Sequence, residues 1–212
     1  MRLLKTLLFA LLVIISVSWL TNQPWFKKYR DTHQPAAFAS SAKPNNLAKL
    51  KSKAEEARSF VKQKKYNEQI CFLIEMNLPS GQNRFFIYDL KKDSVVNAGL
   101  VAHGNCFQYW LEGRKYNNVV GGGCTSLGKY RIGGSYQGKF GYSYKLYGLD
   151  TSNNNAFERT VVLHSHSCVP ESPTADEICQ SNGCPTVSPG FLEALKPIIN
   201  RSGKPVLLWI FE

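Results

Sequence analysis

Acidic residues are scarce in the first third of this chain. Residues 1–65 contain only Asp31, Glu55 and Glu56 against 13 Lys and Arg, whereas residues 66–212 contain 12 acids against 13 bases. The formal net charge of +11 therefore comes almost entirely from the N-terminal third. A basic segment of this kind suits attraction to a membrane surface. The sequence also lacks a nucleic-acid-binding motif, so we expect no nucleic-acid partner.

Internal repeats are absent as well, which argues against a repeat architecture. Of the 212 residues, 43% are apolar and 12% are aromatic, so the chain is too rich in core-forming residues to be disordered. We expect one good-sized folded domain with accessory segments.

The longest apolar run lies at the N-terminus, where Arg2 and Lys5 precede Leu7–Leu20. A basic start with an apolar stretch behind it is typical of an export signal. No small-x-small cleavage site comes directly after the run, so we expect residues 1–26 to form an uncleaved membrane anchor. A buried core helix is the alternative.

The next two segments differ sharply in composition. Residues 27–45 include a small, polar, proline-containing stretch and are predicted to form a tether. Residues 46–66 are predicted to form an amphipathic helix that packs on the domain after it or lifts that domain from the membrane. Its apolar residues recur three and four positions apart: Leu47, Leu50, Ala54, Ala57, Phe60 and Val61.

Residues 67–212 carry the pattern of a mainly β domain. Runs rich in Ile, Val, Phe and Tyr are separated by turn residues such as Pro79-Ser80-Gly81, which predicts an antiparallel meander. The predicted strands cover 70–76, 84–90, 94–102, 129–132, 142–149, 160–166 and 205–211. Only residues 189–199 look helical within this region. We therefore expect a β-sandwich or barrel with one short helix near the C-terminus.

Two neighbouring motifs suggest cysteine chemistry. A β-branched run, Val161-Val162-Leu163, ends in His164, and Gly183 directly precedes Cys184. A strand that ends in histidine and a later loop with cysteine can bring a thiol and its base together.

These motifs belong to an ordered series that resembles a known family. The series covers roughly residues 70–212 and comprises Leu100-Val101-Ala102-His103-Gly104, Ser126-Leu127-Gly128, Tyr136-x-Gly138-Lys139-x-Gly141, Leu146-x-Gly148-Leu149, Arg159-x-x-Val162-Leu163-His164 and Ser181-x-Gly183-Cys184-Pro185. In this order it resembles the murein L,D-transpeptidases, the YkuD-type catalytic domain, and within them the Ser-x-Gly-Cys-Pro branch. The better-known branch has a histidine directly before Gly-Cys and an asparagine two residues after the cysteine, where this chain has Asn182 and Thr186.

The resemblance implies a cell-wall enzyme with a cysteine nucleophile. Cys184 would attack a peptidoglycan stem peptide, release D-alanine and form a thioester, which an amine or water would resolve. His164 would act as the base and the Ser165 carbonyl would orient its ring, while the Gly183 amide would face the oxyanion.

Six further residues are candidates for contact with the substrate: Arg159, Lys139, His103, Tyr136, Ser181 and Asn182. Arg159 and Lys139 could meet the carboxylates of an acidic stem peptide. However, Arg159 lies five positions before His164, so on a regular strand it points to the opposite face, and an exposed charge is the favoured interpretation. By its family match, His103 is a supporting residue.

The same residues allow a zinc site. His164, His166 and Cys168 would share one face of a strand, and together with Cys179 and Cys184 they could supply four zinc ligands. The simpler alternative is a disulfide between Cys168 and Cys179, which an exported protein permits. A bridge between Cys106 and Cys124 is one further possibility. One nucleophile among six cysteines leaves at least one other thiol unpaired.

The sequence therefore predicts an anchored or exported bacterial enzyme on the periplasmic side of the inner membrane. Its partners would be the membrane and peptidoglycan stem peptides, and no cofactor or metal is expected. Transfer to an amine is favoured, hydrolysis of the same bond is the first alternative, and a zinc-binding or interaction module is the second.

Overall fold

The computed structural model of the chain describes residues 44–212, together with Trp19 and Gln23. The predicted anchor and tether lie outside these residues, apart from Trp19, Gln23 and the last two tether positions. Within the described part of the chain, no helix combines the length and the apolar character needed to cross a bilayer.

Residues 44–212 form two helices and nine strands. The helices are α1 (Pro44–Lys64) and α2 (Pro189–Asn200). The strands are β1 (Ile70–Glu75), β2 (Phe85–Asp89), β3 (Ser94–Gly99), β4 (Val101–Ala102), β5 (Gly128–Gly138), β6 (Gly141–Gly148), β7 (Val162–Ser165), β8 (Thr186–Val187) and β9 (Leu207–Phe211). The mainly β class with one C-terminal helix is thus confirmed.

All nine strands belong to one sheet with the order β3-β2-β1-β9-β5-β6-β7-β8-β4. The two edge strands, β3 and β4, are consecutive in sequence, and only Leu100 separates them. Because one residue cannot span an open sheet, the edges must curve towards each other. The sheet is therefore a nearly closed barrel, and the run predicted as one strand over 94–102 is divided between its two edges.

The interior of the barrel is filled by side chains that alternate along the strands. From β1, Phe72 and Ile74 point inward, where they join Phe85, Tyr130 and Leu163 from neighbouring strands. Helix α2 closes the interior with Phe191, Leu192 and Leu195, and the Ser188 hydroxyl caps its start by accepting from the Phe191 N–H at 3.2 Å.

Helix α1 covers the outer face of the same sheet. Its inner stripe of Leu50, Ala54, Ala57 and Val61 is fully buried and packs in one cluster with side chains that point outward from the sheet, including Leu73 and Phe86. β1 is therefore buried on both faces, which explains why residues 70–74 of this strand are all apolar. Of the two predicted roles for this helix, the structure has it packed on the domain.

Candidate active site

Cys184 lies two residues before β8, on the loop that returns the chain to the sheet after β7. All six cysteines lie within the described residues, and four of them form disulfides. The two free thiols are Cys71 and Cys184, and Cys71 is buried beneath α1. The Val162 N–H points at Cys184 Sγ from 3.5 Å, and the Thr160 carbonyl oxygen lies 4.0 Å away. Cys184 is therefore the one free thiol that lines a cleft.

The surroundings of Cys184 favour the protonated thiol at rest. Burial raises the pKa of Cys184, while the Val162 N–H and the Arg159 guanidinium oppose that rise. Because the thiolate is the nucleophilic form, this cysteine needs a base before it can attack.

His164 can serve as that base because it is buried and neutral. Its Nδ1 lies 3.1 Å from the Ser165 carbonyl oxygen, and since a carbonyl can only accept, we assign the hydrogen to Nδ1. Burial lowers the pKa of His164, and the Ser165 hydrogen bond opposes that shift. The ring also stacks on Phe140 with centroids 4.4 Å apart. Nε2 therefore carries no hydrogen, and its lone pair is the position on the ring that can accept a proton.

The hydrogen-bond partner of Nε2 is Thr186. Its Oγ1 lies 3.0 Å from Nε2, while the Cys184 sulfur makes its own contacts with Val162 and Thr160. The candidate nucleophile and base thus share one cleft without a hydrogen bond between them. The sequence motifs predicted that Cys184 and His164 would lie close together. They did not predict that the Thr186 hydroxyl would bond to the ring nitrogen of His164.

The cleft that contains both groups has a volume of about 630 Å³. Four of the six predicted substrate contacts line it: Lys139, Arg159, Ser181 and Asn182. Two aromatic side chains, Phe107 and Phe140, stand on its walls and are 63% and 43% exposed. Cationic and aromatic side chains thus meet around the thiol.

Arg159 is not the exposed charge that strand alternation predicted. The residue lies in a series of turns that ends at Thr160, whose φ of 54° breaks the strand before β7 begins. Its half-buried guanidinium donates to the carbonyl oxygens of Cys124 and Asn117 and to Ser126 Oγ. These hydrogen bonds hold the segment that forms the cleft wall next to Gly183 in place.

His103 and Tyr136 do not line the cleft. His103 is buried, and its Nδ1 lies 3.0 Å from an Arg84 guanidinium nitrogen. Burial and the Arg84 charge lower the pKa of His103 to about 4, so it is a neutral acceptor for a buried cation. Tyr136 lies on the outer part of β5, where Lys145 Nζ approaches its ring at 5.8 Å. A direct substrate contact is therefore not supported for either residue.

The loop before Cys184 is held by its own hydrogen bonds. Ser181 Oγ donates to the Cys184 carbonyl oxygen at 2.7 Å and accepts from the Gly183 N–H at 3.2 Å. Gly183 has a φ of 104°, and a Cβ there would lie 2.7 Å from the Cys124 carbonyl oxygen. Both constraints require glycine at this position. An oxyanion role for its N–H remains a prediction, since that N–H is engaged by Ser181 here.

Two disulfides brace the walls of the cleft. The predicted bridge between Cys168 and Cys179 is present, and so is the possible bridge between Cys106 and Cys124. Because Cys168 and Cys179 are oxidised, the proposed zinc ligand set loses two of its thiols. Among residues 44–212 there is also no group of three His, Cys, Asp or Glu side chains placed to hold a metal ion. The structure therefore does not support a zinc site at these residues.

Three features of the site were missed from the sequence: Thr186 on the imidazole, Phe140 stacked on its face and the backbone contacts of the sulfur. A signal existed only for Thr186, which stands at the position where the better-known branch has asparagine. The contact of Phe140 with the His164 ring and those of Val162 and Thr160 with the Cys184 sulfur depend on how separate segments meet in the fold. No residue spacing in the sequence predicts them.

Comparison with known structures finds similar folds at low identity. The helical cell shape determining protein Pgp2 from Campylobacter jejuni aligns with a TM-score of 0.47 and 13% identity, over 69% of this chain and 48% of that one. An L,D-transpeptidase from Mycobacterium smegmatis has a TM-score of 0.41 and 10% identity, and L,D-transpeptidase LdtMt1 in complex with imipenem has 0.41 and 9%. Each of these two alignments covers 68% of this chain and 59% of the other.

The match to a protein-family model covers more of the chain than these structural alignments do. No curated protein matches the chain. A scan against protein-family models, however, matches the L,D-transpeptidase catalytic domain over residues 42–210, which includes both helices, the first eight strands and all but the last residue of β9. Since the match spans well over half of the 212 residues, the chain belongs to the L,D-transpeptidase catalytic domain family.

Proposed function

We propose that this protein is a cysteine-dependent acyl transferase that acts on peptidoglycan stem peptides. Membership in the L,D-transpeptidase catalytic domain family supports the reaction class. The observation that carries the proposal is the free Cys184 thiol in the same cleft as the neutral imidazole of His164. A thiol and an unprotonated base are the pair that nucleophilic catalysis by cysteine requires.

The first half-reaction forms a thioester. Cys184 Sγ attacks the carbonyl carbon at the L-centre of the third stem-peptide residue. The Thr186 hydroxyl turns its hydrogen from His164 Nε2 to the Cys184 carbonyl, and the thiol proton passes to the nitrogen that this exposes. The bond to the fourth residue then breaks, and the departing amine of D-alanine takes the proton from His164. The acyl group remains on Cys184, and His164 is neutral again.

The developing negative charge needs donors close to the sulfur. The amides of Gly183 and Cys184 are the candidates, because Gly183 has no side chain that would block the approach of the carbonyl. The Gly183 N–H bonds to Ser181 Oγ at rest, so it would have to turn from that hydroxyl to the oxyanion. Ser181 would keep its bond to the Cys184 carbonyl and hold the loop in place.

Binding of an acidic stem peptide suits the charge of the cleft. The Arg159 guanidinium is committed to the cleft wall, whereas Lys139 lies on the rim with its Nζ 5.8 Å from the Phe140 ring. Lys139 is therefore the cation that we assign to a substrate carboxylate.

The second half-reaction decides between transfer and hydrolysis. An amine of a neighbouring stem peptide, or water, attacks the thioester carbonyl and gives a proton to His164, the S–C bond breaks, and the Cys184 thiolate takes the proton back. Attack by the amine forms a cross-link, whereas attack by water trims the peptide. The donor chemistry is identical in both cases. We propose transfer as the main reaction and hydrolysis as the alternative.

A product assay tests the proposal. The purified full chain is incubated with disaccharide-tetrapeptide, and the products are weighed by mass spectrometry. A cross-linked dimer with release of D-alanine indicates transfer, and D-alanine release without a dimer indicates hydrolysis. The Cys184→Ala variant is expected to lose release completely.

The matched control is Cys71→Ala, which removes the other free thiol from the opposite face of the sheet. It is expected to keep wild-type release. Release that survives in Cys184→Ala, or that disappears in Cys71→Ala while the protein stays folded, would refute the assignment of the nucleophile.

We further infer that the protein works in the cell envelope, on the periplasmic side of the inner membrane. The basic start and apolar run of residues 1–26 support export and anchoring. The two disulfides beside the cleft support an oxidising compartment.

A further inference from the structure

Thr186 contacts Nε2 of His164, the ring nitrogen that carries no hydrogen in the neutral ring. The two residues are register partners in the parallel pair β7 and β8, and both side chains are buried. Thr186 Oγ1 lies 3.0 Å from His164 Nε2 and 3.3 Å from the Cys184 carbonyl oxygen. The hydroxyl therefore has two alternative partners within reach.

These two partners match the two protonation states of His164. When the ring is neutral, Nδ1 donates to Ser165 and Nε2 must accept, so the Thr186 hydroxyl donates to Nε2. When Nε2 gains a proton it becomes a donor, and Thr186 Oγ1 can accept from it. A hydroxyl rotates freely enough to turn its hydrogen to the Cys184 carbonyl in that state.

We propose that Thr186 is a positioning residue that holds His164 in the tautomer whose Nε2 carries no hydrogen and stays bonded to Nε2 once it is protonated. This inference rests on the proposed roles of Cys184 and His164. The bond to the charged ring is the stronger of the two, because charge-assisted hydrogen bonds exceed neutral ones. Thr186 therefore raises the affinity of His164 for the proton that it takes from Cys184.

Other ionisable groups around His164 stay constant when Thr186 is replaced. Of these groups, His166 lowers the pKa of His164 through its charge. The ionisable groups that line the cleft with His164 are Lys139, Glu158, Arg159, His166 and Cys184. A change in the titration of His164 in a Thr186 variant therefore reports the loss of the hydroxyl.

The test compares wild type, Thr186→Val and Thr186→Ser as full chains in detergent, each labelled with ¹⁵N-histidine. Valine matches the shape of threonine without the hydroxyl, whereas serine restores the hydroxyl. In wild type, the neutral ring is expected to carry its hydrogen on Nδ1. In Thr186→Val, the proton affinity of His164 is expected to fall about tenfold, and in Thr186→Ser to stay near the wild-type value.

Turnover supplies the second measurement. Thr186→Val is expected to lower kcat about tenfold at neutral pH and to leave KM unchanged, because the hydroxyl acts on the base and not on the substrate. Thr186→Ser is expected to recover most of kcat.

The proposal is overturned if the neutral wild-type ring carries its hydrogen on Nε2, or if His164 titrates in Thr186→Val as in wild type. If Thr186→Val does not fold, two measurements still test the proposal. It requires hydrogen on Nδ1 in the neutral wild-type ring and a proton affinity of His164 in Thr186→Ser that stays near the wild-type value. The NMR measurements need no turnover, so they separate this inference from failure of the proposed function, which would show as full activity in Cys184→Ala.

Discussion

His103 and His164 are both buried, and burial lowers the pKa of each, but their neighbours differ. The Ser165 carbonyl opposes the shift in the pKa of His164. His103 is also buried and in addition faces the cationic guanidinium of Arg84. One neutral histidine can therefore act as a base in the cleft, while the other satisfies a buried cation.

Protonation of His103 is expected to destabilise the fold in acid. Its pKa is about 4 in the folded chain and ordinarily 6.5, so between these values the unfolded state binds more protons. Stability should fall as the pH drops from 6.5 to 4, by on the order of 3 kcal/mol from this residue. His103→Asn keeps a neutral acceptor for Arg84, so its urea unfolding curves should lose this part of the pH dependence. An unchanged slope would contradict the prediction.

At single positions, motif, spacing and the family resemblance correctly placed Cys184 and His164 in one cleft and the Ser165 carbonyl beside the ring, while the roles of these groups in the reaction stay predictions. These patterns failed at Arg159, whose orientation was inferred from strand alternation although the strand starts only at Val162. Thr186 was visible only as a departure from a motif, because its role depends on the pairing of two strands.

Among the elements, α1 shows how a surface helix becomes part of the catalytic domain. Its buried alanines, Ala54 and Ala57, allow close approach to the outer face of the sheet. Basic side chains extend this contact, since Lys53 Nζ lies 4.5 Å from the centre of the Trp209 ring. The family match likewise begins before this helix, at residue 42.

Removal of one buried side chain tests this packing. Leu50 is buried at the contact with the sheet, so Leu50→Ala is expected to lower the free energy of unfolding by about 2–5 kcal/mol. Ser52→Ala, on the exposed face of the same helix, should change it by less than about 0.5 kcal/mol. Urea denaturation measures both. Equal effects of the two substitutions would mean that α1 does not pack as described.

Elements with apolar runs were predictable, and glycine-rich or two-residue ones were not. The strands β1, β2, β6, β7 and β9 and the helix α2 carry clear periodicity or apolar runs, whereas β5 was predicted only over 129–132 because glycines fill its second half. The two-residue strands β4 and β8 carry none, because their pairing is set by the loops that bring them together. The site depends on β8, so its geometry could not be derived from local pattern.

On the scale of the whole molecule, near closure of the sheet brings distant segments to one cleft. β9, near the C-terminus, pairs in parallel with β1 and antiparallel with β5. β8 pairs with β7 and with β4, so the loop with Cys184 is held between strands from two parts of the chain. The sequence predicted a sandwich or a barrel, but the strand order that decides between them comes from long-range pairing.

Residues 1–26 are expected to place this domain outside the cytoplasm. In bacterial cells, the full chain should fractionate with membranes, and protease added to spheroplasts should digest the catalytic domain. Deletion of residues 1–26 should leave the protein in the cytosol with its cysteines reduced. Protection of the full-length protein from protease in intact spheroplasts would contradict the proposed location.

Cys184 is central to the proposed chemistry, because it is the group expected to carry the acyl chain. The most direct measurement is D-alanine release from disaccharide-tetrapeptide by wild type and Cys184→Ala in parallel, with intact-protein mass recorded during turnover. We expect release and an acyl adduct on the wild-type chain, and neither in Cys184→Ala. Release by folded Cys184→Ala at the wild-type rate would contradict the assignment.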